Sequence, residues 1–127
     1  MAGFSDFLET KVLQHVFGGT SYTAPGTLYV ALYTAAPSDS GGGTEVSGGA
    51  YARQTAAFTV SGNTASNSAN VEYATATANY GTVVAMGIFD AASSGNLLAY
   101  GTLTTSKSVS TGDVFRFNAS AIDITLT

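Results

Sequence analysis

The chain has 127 residues, a net charge of −4 and no cysteine, which fits one domain with a buried core and excludes disulfides and cysteine-based metal sites. Charged residues make up 9% of the chain and hydrophobic residues 45%, so the composition argues against disorder and leaves Ser, Thr, Asn and Gly to form most of the polar surface. The cations Lys11, Arg53, Lys107 and Arg116 are scattered singly, so we expect no direct binding of nucleic acid.

The N-terminal segment, residues 5–17, has the pattern of a helix. Ser5 can cap it and Gly18-Gly19 can end it, while its apolar residues recur at helical spacing: Leu8, Val12, Leu13, Val16 and Phe17. A helix of about 12 residues is marginal alone, so we expect this stripe to dock on another part of the protein. The segment lacks a signal-peptide pattern, and no run approaches the about 18 apolar residues of a spanning helix, so we expect no membrane partner.

The chain after Gly19 has the pattern of β-structure. Apolar residues occupy both alternating sets of positions over 28–33, which predicts a strand covered on both faces. A Gly-rich loop is predicted over residues 35–50, and further strands follow over 51–60, 71–77, 82–89, 97–104, 113–117 and 121–126. With turn signals at intervals of about 8–12 residues, this pattern predicts a mainly β, antiparallel sandwich or barrel of about seven or eight short strands. We interpret residues 1–127 as a single domain with one short N-terminal helix.

No constellation of catalytic residues is visible in the sequence. His15 has no second histidine or cysteine with which to form a zinc site, so it is interpreted as a surface or interface residue. Asp90 and Asp113 could converge as a pair of catalytic carboxylates, but aspartate at strand ends is more often a turn residue. The sequence therefore predicts a protein that is not an enzyme and holds no metal or cofactor.

The Gly-rich loop resembles two ligand-binding motifs only in composition. Asp39 lacks the alternating oxygen ligands of a calcium loop, and Gly41-Gly42-Gly43 is not followed by the lysine of a phosphate-binding loop. We interpret the loop as a flexible excursion that becomes ordered against a neighbouring subunit. The seven tyrosines are interpreted as interface residues, with a sugar-binding face as the alternative.

Several segments together resemble a family of small tailed-bacteriophage proteins that are commonly labelled tail-fibre or virion structural proteins. The similar segments are the helix FSDFLETKVLQHVF, the strand LYVALYT, the Pro-Ser-Asp Gly-rich loop, EVSGGAYARQ, and the hairpin around GIFDAASSGNLLAYGTL. The resemblance covers about the first hundred residues. It implies a virion component without enzymatic activity, assembled in the cytoplasm of a host bacterium.

Three functions are compatible with these observations. The preferred one is a capsid decoration, or cement, protein that binds the major capsid shell. The alternative is a tail-fibre or tail-associated protein, such as a tip, an adaptor or a ring, involved in host attachment; a carbohydrate-binding module is a remote third. Either virion role implies other virion proteins as partners, and by analogy with such proteins we expect a homo-oligomer.

The predicted interface combines the start of the helix with the loop and the strand that follows it. We expect Arg53 to form an exposed ion pair with Glu45 or Glu72, contributing about 0–1 kcal/mol. The predicted interface residues are Phe4, Phe7, Leu8, Asp39, Gly41, Gly42, Gly43, Glu45, Tyr51 and Arg53.

Overall fold

The computed structural model describes residues 2–126, and over that range it contains one helix and eleven strands. In chain order these are β1 (Gly3–Phe4), α1 (Asp6–Val16), β2 (Leu28–Ala35), β3 (Thr44–Glu45), β4 (Gln54–Ala56), β5 (Phe58–Ser61), β6 (Thr64–Asn67), β7 (Val71–Glu72), β8 (Gly81–Phe89), β9 (Leu97–Val109), β10 (Arg116–Phe117) and β11 (Asp123–Thr125). The prediction of a mainly β, antiparallel fold with one N-terminal helix is confirmed. The single-domain interpretation of residues 1–127 stays a prediction, and its ends, Met1 and Thr127, lie outside the described residues.

The strands are more numerous than the seven or eight expected. The predicted strand 51–60 is divided into β4 and β5, and the predicted strand 71–77 is reduced to β7. The short strands β1, β3 and β6 were not predicted, because two to four residues are too few for a period-two pattern to stand out.

The largest sheet joins six strands in the order β1-β9-β8-β2-β3, with β4 also pairing β2. Its centre contains the predicted hairpin, formed by β8 and β9. The ladder between β8 and β9 is interrupted. Val83 pairs with Lys107 and Ala85 pairs with Thr102, so residues 103–106 of β9 lie outside the paired register. Two smaller antiparallel sheets, β11-β6-β5 and β10-β7, complete the described fold. The path of the largest sheet ends at β1 and β3 instead of closing on itself, which favours layered sheets over a barrel.

Both faces of β2 are covered, as the sequence pattern predicted. Val30 and Leu32 are fully buried in the main core, which they share with apolar side chains from the two smaller sheets. Ala31 and Tyr33 lie on the opposite face, where they pack with Phe89 of β8. The strand therefore separates a large core from a small cluster, and that small cluster lies beside α1.

The helix begins where the sequence predicted. Ser5 is its N-cap, and the Ser5 hydroxyl accepts a hydrogen bond from Leu8 N at 3.3 Å. The same hydroxyl donates to Leu97 O at 2.5 Å, which ties the start of α1 to β9. At the other end Gly19 has φ of +70°, the left-handed conformation that commonly follows a helix C-terminus.

Candidate functional site

The start of α1 and the Gly-rich loop lie side by side in the structure. Asp6 N donates to Asp39 O at 2.9 Å, and the Tyr100 hydroxyl donates to the Asp39 carboxylate. Between the two segments lies an open groove of about 560 Å³. Its lining includes four of the predicted interface residues, namely Phe7, Asp39, Gly41 and Gly42.

The Gly-rich loop is held by its own chain, and its ordering against a neighbouring subunit stays a prediction. Ser38 and Gly41 exchange two backbone hydrogen bonds, of 2.8 and 2.9 Å. Gly41, Gly42 and Gly43 have φ of +100°, +77° and +74°, a conformation that other residues adopt only with strain. A Cβ on Gly43 would lie 2.6 Å from Ala35 O, so this glycine also permits a close backbone approach. The glycines therefore shape a tight turn.

The three apolar N-terminal residues of the predicted interface are partly covered. Phe4 lies in β1 opposite Ala99, and Phe4 and Leu8 are both half-buried. Phe7 is half-buried as well, with its ring edge-on to Tyr22 at 6.3 Å. These residues anchor the helix to the domain and leave limited surface for a partner.

Arg53 pairs with Glu45, one of the two acids predicted for it, but the pair belongs to an internal network and is not exposed. Its guanidinium forms two hydrogen bonds of 2.9 Å with the Glu45 carboxylate, and its side chain is only 8% exposed. Its Nη1 donates to Ala91 O at 3.0 Å and to Ser94 O at 2.8 Å. The guanidinium also stacks 3.7 Å from the centre of the Phe89 ring, a cation–π contact. Arg53 therefore joins β3 to the turn that follows β8.

Tyr51 closes a gap in the edge of β2. On that edge β4 pairs with residues 28–30 of β2, and the pairing of β2 with β3 begins at Tyr33. The N–H of the fully buried Leu32 therefore has no strand partner there. The Tyr51 hydroxyl accepts from Leu32 N at 3.0 Å and donates to Glu45 Oε2 at 2.6 Å. Burial, followed by the hydrogen bond to Glu45, raises the pKa of Tyr51 far above its usual range, so the hydroxyl keeps its proton.

The Glu45 carboxylate is held in its charged form. Burial by itself would raise the pKa of Glu45, but hydrogen bonds from Arg53 and Tyr51, with the charge of Arg53, lower the pKa below its ordinary value. Glu45, Tyr51 and Arg53 thus use their polar groups within the chain. Their assignment to an interface stays a prediction, and the structure gives them an internal role.

The other tyrosines of this region belong to the core, where the sequence interpretation had placed an interface. The Tyr73 ring stacks on that of Tyr51 at 6.1 Å, and its hydroxyl donates to Val30 O at 2.6 Å. Tyr80 packs edge-on against Tyr51 at 5.8 Å. The Tyr80 hydroxyl is buried and has no hydrogen-bond partner among the described residues.

The C-terminal half of α1 carries an exposed apolar surface that the sequence analysis had assigned to docking. Leu13, Val16 and Phe17 are 58%, 60% and 82% exposed, and their spacing places them on one face of the helix. We call these three residues the helix apolar patch. The sequence contained a sign of this patch, because the apolar stripe of the helix is wider than docking on one surface requires. It did not show which half of the helix would be covered.

The residues considered for chemistry have local structural roles. His15 Nδ1 accepts from Tyr22 N at 3.0 Å, and Asp90 accepts from Asn96 N at 2.8 Å. Asp113 accepts from Ser110 N at 2.9 Å within its own turn. Across residues 2–126 no three acidic or histidine side chains gather as a metal site would require. Over the same residues, no helix has the length and apolar character needed to span a membrane.

Comparison with known proteins gives a family for the chain. No curated protein matches it. A family model described as podophage GP4 fiber I protein gp80 matches residues 3–125. This match confirms the resemblance to tailed-phage structural proteins and extends it over almost the whole chain. The chain belongs to the podophage GP4 fiber I protein gp80 family and is a phage structural protein.

Proposed function

We propose that this protein is a non-enzymatic component of a phage fibre that attaches to other virion proteins through the helix apolar patch. The observation that carries the proposal is the exposure of Leu13, Val16 and Phe17 on one helix face. The family description supports a fibre location over the capsid shell that the sequence analysis preferred.

Leaving the helix apolar patch in water is unfavourable, and attachment to a partner would remove that cost. Burying a large apolar side chain stabilises a complex by about 1.5–3 kcal/mol, and Phe17 has most of its surface available at 82% exposure. Exposed apolar side chains that cluster commonly mark interaction sites. Aromatic residues at the centre of an interface often contribute most of its binding energy. Phe17 is therefore the expected anchor.

The test is incorporation of variants into particles. A phage lacking this gene is complemented with wild type, Phe17→Ser or Val114→Ser, and the protein in purified particles is quantified by mass spectrometry. We expect Phe17→Ser to lower incorporation by about tenfold, because roughly 1.4 kcal/mol or more of contact energy is lost. Val114 is 50% exposed outside the helix and serves as the matched control.

Circular dichroism of both purified variants verifies that the fold is intact. Normal incorporation of folded Phe17→Ser would contradict attachment through the patch. Equal losses for Phe17→Ser and Val114→Ser would also contradict it, since the effect would not be specific to the helix.

Capsid decoration stays a second candidate, because the small domain with 9% charged residues suits a protein that covers a shell. The number of copies per particle separates the two functions. A fibre component is expected in a few to a few dozen copies, whereas a decoration protein is expected in hundreds.

The proposal that the protein is not an enzyme is supported by how its polar groups are used. The Nδ1 of His15 is occupied by Tyr22 N, and the carboxylate of Glu45 is occupied by Arg53. Sugar binding in the groove has less support. The Phe89 ring is buried and Arg53 lies 3.7 Å from its centre, so this ring is a poor platform for a sugar.

A further inference from the structure

The chain reverses its direction after α1 and runs back along the helix. Gly18 N and Thr20 N both donate to Gln14 O at 3.0 Å, and Gly19, with φ of +70°, makes the reversal between them. We call residues 18–22 the return segment. Its first half is held by these backbone hydrogen bonds, whereas its far end depends on side chains of the helix.

Tyr22 attaches the far end of the return segment to α1 at two points. Its backbone N–H donates to His15 Nδ1 at 3.0 Å, and its ring packs edge-on against the Phe7 ring, with 6.3 Å between the ring centres. The two contacts lie about two helical turns apart, so Tyr22 extends along the helix toward its start. Phe7 also lines the groove of about 560 Å³ beside the Asp39 turn. Tyr22 therefore covers part of an aromatic ring that borders the groove.

The hydrogen bond from Tyr22 N requires a neutral imidazole. A ring nitrogen that accepts a hydrogen bond has no proton of its own, so His15 carries its ring proton on Nε2 while this bond exists. An imidazolium has a proton on both nitrogens and can only donate, which would set a second N–H against that of Tyr22. Imidazole takes up this proton as the pH falls through about 6.5. His15 is exposed to water, so a proton can reach it.

Few charged groups surround this bond. His15 takes part in neither of the ion pairs within residues 2–126. On α1, Lys11 lies one turn before His15, with its Nζ 5.6 Å from the centre of the Phe7 ring, and residues 18–27 carry no charge. At the end of β8, Asp90 lies near the Tyr22 ring: burial, followed by the charge of Asp90, raises the pKa of Tyr22. None of these groups supplies an acceptor that could replace Nδ1 for the Tyr22 N–H.

The chain contains one histidine and no cysteine. Histidine is the side chain whose ordinary titration falls between pH 5 and 8, and the acids and lysines ordinarily titrate outside that interval. A change of structure in the interval is therefore expected to come from His15.

We propose that His15 is a pH-sensitive latch, which holds the return segment on α1 when it is neutral and releases Tyr22 when it is protonated. The closed arrangement is favoured above about pH 6.5 and is lost as the pH falls below that value. Release withdraws the Tyr22 ring from Phe7, so in acid the groove gains a more exposed aromatic ring along its edge. The latch uses none of the three side chains of the helix apolar patch, so this inference does not depend on the proposed function.

Amide hydrogen exchange of the full chain, followed by NMR at about pH 7.5 and about pH 5, tests the latch. We compare protection factors, which correct each amide for its intrinsic rate at that pH. The protection of the Tyr22 amide should fall about five- to tenfold at the lower pH, the loss expected for one hydrogen bond. The Gly41 amide, which donates to Ser38 O, should keep its protection. The nuclear Overhauser effect between the Phe7 and Tyr22 rings should weaken together with the Tyr22 amide protection.

Two substitutions of His15 separate its charge from its presence. His15→Asn places an uncharged oxygen on Cγ, where Nδ1 is attached, so the Tyr22 amide should have the same protection at both pH values. His15→Lys is charged and has no acceptor, so protection should be low at both. Phe17→Ser, which tests the proposed function, should respond to pH like the wild type. Circular dichroism verifies the fold of each variant.

The wild type is sufficient to contradict the latch. Equal Tyr22 protection at the two pH values would overturn the inference, and so would the full fall in folded His15→Asn or full protection in folded His15→Lys. A Tyr22 amide that loses protection while its ring keeps the full contact with Phe7 would also overturn it, because the groove would then gain no exposed ring.

Discussion

Two ion pairs within residues 2–126 join the same kinds of side chain in very different surroundings. Arg53 Nη2 lies 2.9 Å from Glu45 Oε1, with side chains 8% and 27% exposed. Arg116 Nη1 lies 3.5 Å from Glu72 Oε1, with side chains 50% and 57% exposed. Water and salt screen the second pair, so it contributes about 0–1 kcal/mol. Removing one partner of a buried pair costs about 3–5 kcal/mol, because the other charge is left without compensation.

The difference shows that the contribution of each arginine to the stability of the fold depends on how many segments of the chain it joins. Arg116 contacts one carboxylate on the neighbouring strand. Arg53 contacts the Glu45 carboxylate, the carbonyls of Ala91 and Ser94, and the ring of Phe89. Its loss would therefore release the loop from the turn that follows β8, in addition to breaking an ion pair.

The largest effect is expected from Arg53→Met, which keeps an apolar stem and removes the charge. We expect the free energy of unfolding to fall by about 3 kcal/mol, because Glu45 loses its counter-charge and two carbonyls lose a donor. Arg116→Met is the matched control and should change the free energy by less than about 0.5 kcal/mol. Urea unfolding followed by circular dichroism measures both. Losses within about 0.5 kcal/mol of each other would show that burial does not separate the two pairs.

A smaller effect is expected from Tyr51→Phe. This change leaves the buried Leu32 N–H without an acceptor and Glu45 without a donor, so we expect a loss of about 1–3 kcal/mol. Tyr80→Phe is the matched control, because the buried Tyr80 hydroxyl has no partner in the described part of the chain. Removing that hydroxyl should be neutral or stabilising. A comparable loss in both variants would contradict the role given to Tyr51.

The smallest effect is expected from pH. Because the pKa of Glu45 is lowered on folding, its contribution to stability is fully present above the unfolded value of about 4.3 and is lost as pH falls through the lower folded value. Glu45→Gln should therefore reduce the slope of unfolding free energy against pH below about pH 4.3. The slope should not vanish, since the pKa of Asp90 is lowered too: burial opposes that change, and hydrogen bonds from Asn96 more than offset it. Urea midpoints between pH 2.5 and 6 give the slope, and an unchanged slope in Glu45→Gln would contradict the assignment.

In the helix, too, the tertiary structure decides which side chains are buried. Its boundaries and its cap Ser5 were predictable, because capping and periodicity act within a few residues. The exposed face of the helix was not predictable, because the apolar stripe includes both Leu8, which is half-buried, and Phe17, which is 82% exposed. Which half docks depends on where β9 and the Asp39 turn lie, and both are far away in sequence.

The interface itself stays a prediction, but the positions of its residues in the fold differ in how far they could be foreseen. Phe7 and the loop at Asp39, both assigned to the interface, meet at one groove. The polar atoms of Tyr51 and Arg53, assigned to the same interface, bond to Leu32, Glu45 and Ser94 of the same chain. No local pattern distinguishes an arginine that will meet a carboxylate inside the fold from one that will meet it on the surface.

The sequence by itself determined the class of fold, the helix and its cap, the two-sided burial of β2, the β8–β9 hairpin and the resemblance to phage structural proteins. These features follow from side-chain periodicity, turn chemistry and composition, which act over short stretches of chain. Only the tertiary structure decided the internal role of Arg53, the closure of the loop against Tyr100 and the exposure of the helix apolar patch. The contacts responsible join residues 38 positions apart at Arg53–Ala91 and 61 apart at Asp39–Tyr100, and such pairings arise only when distant strands assemble into one sheet.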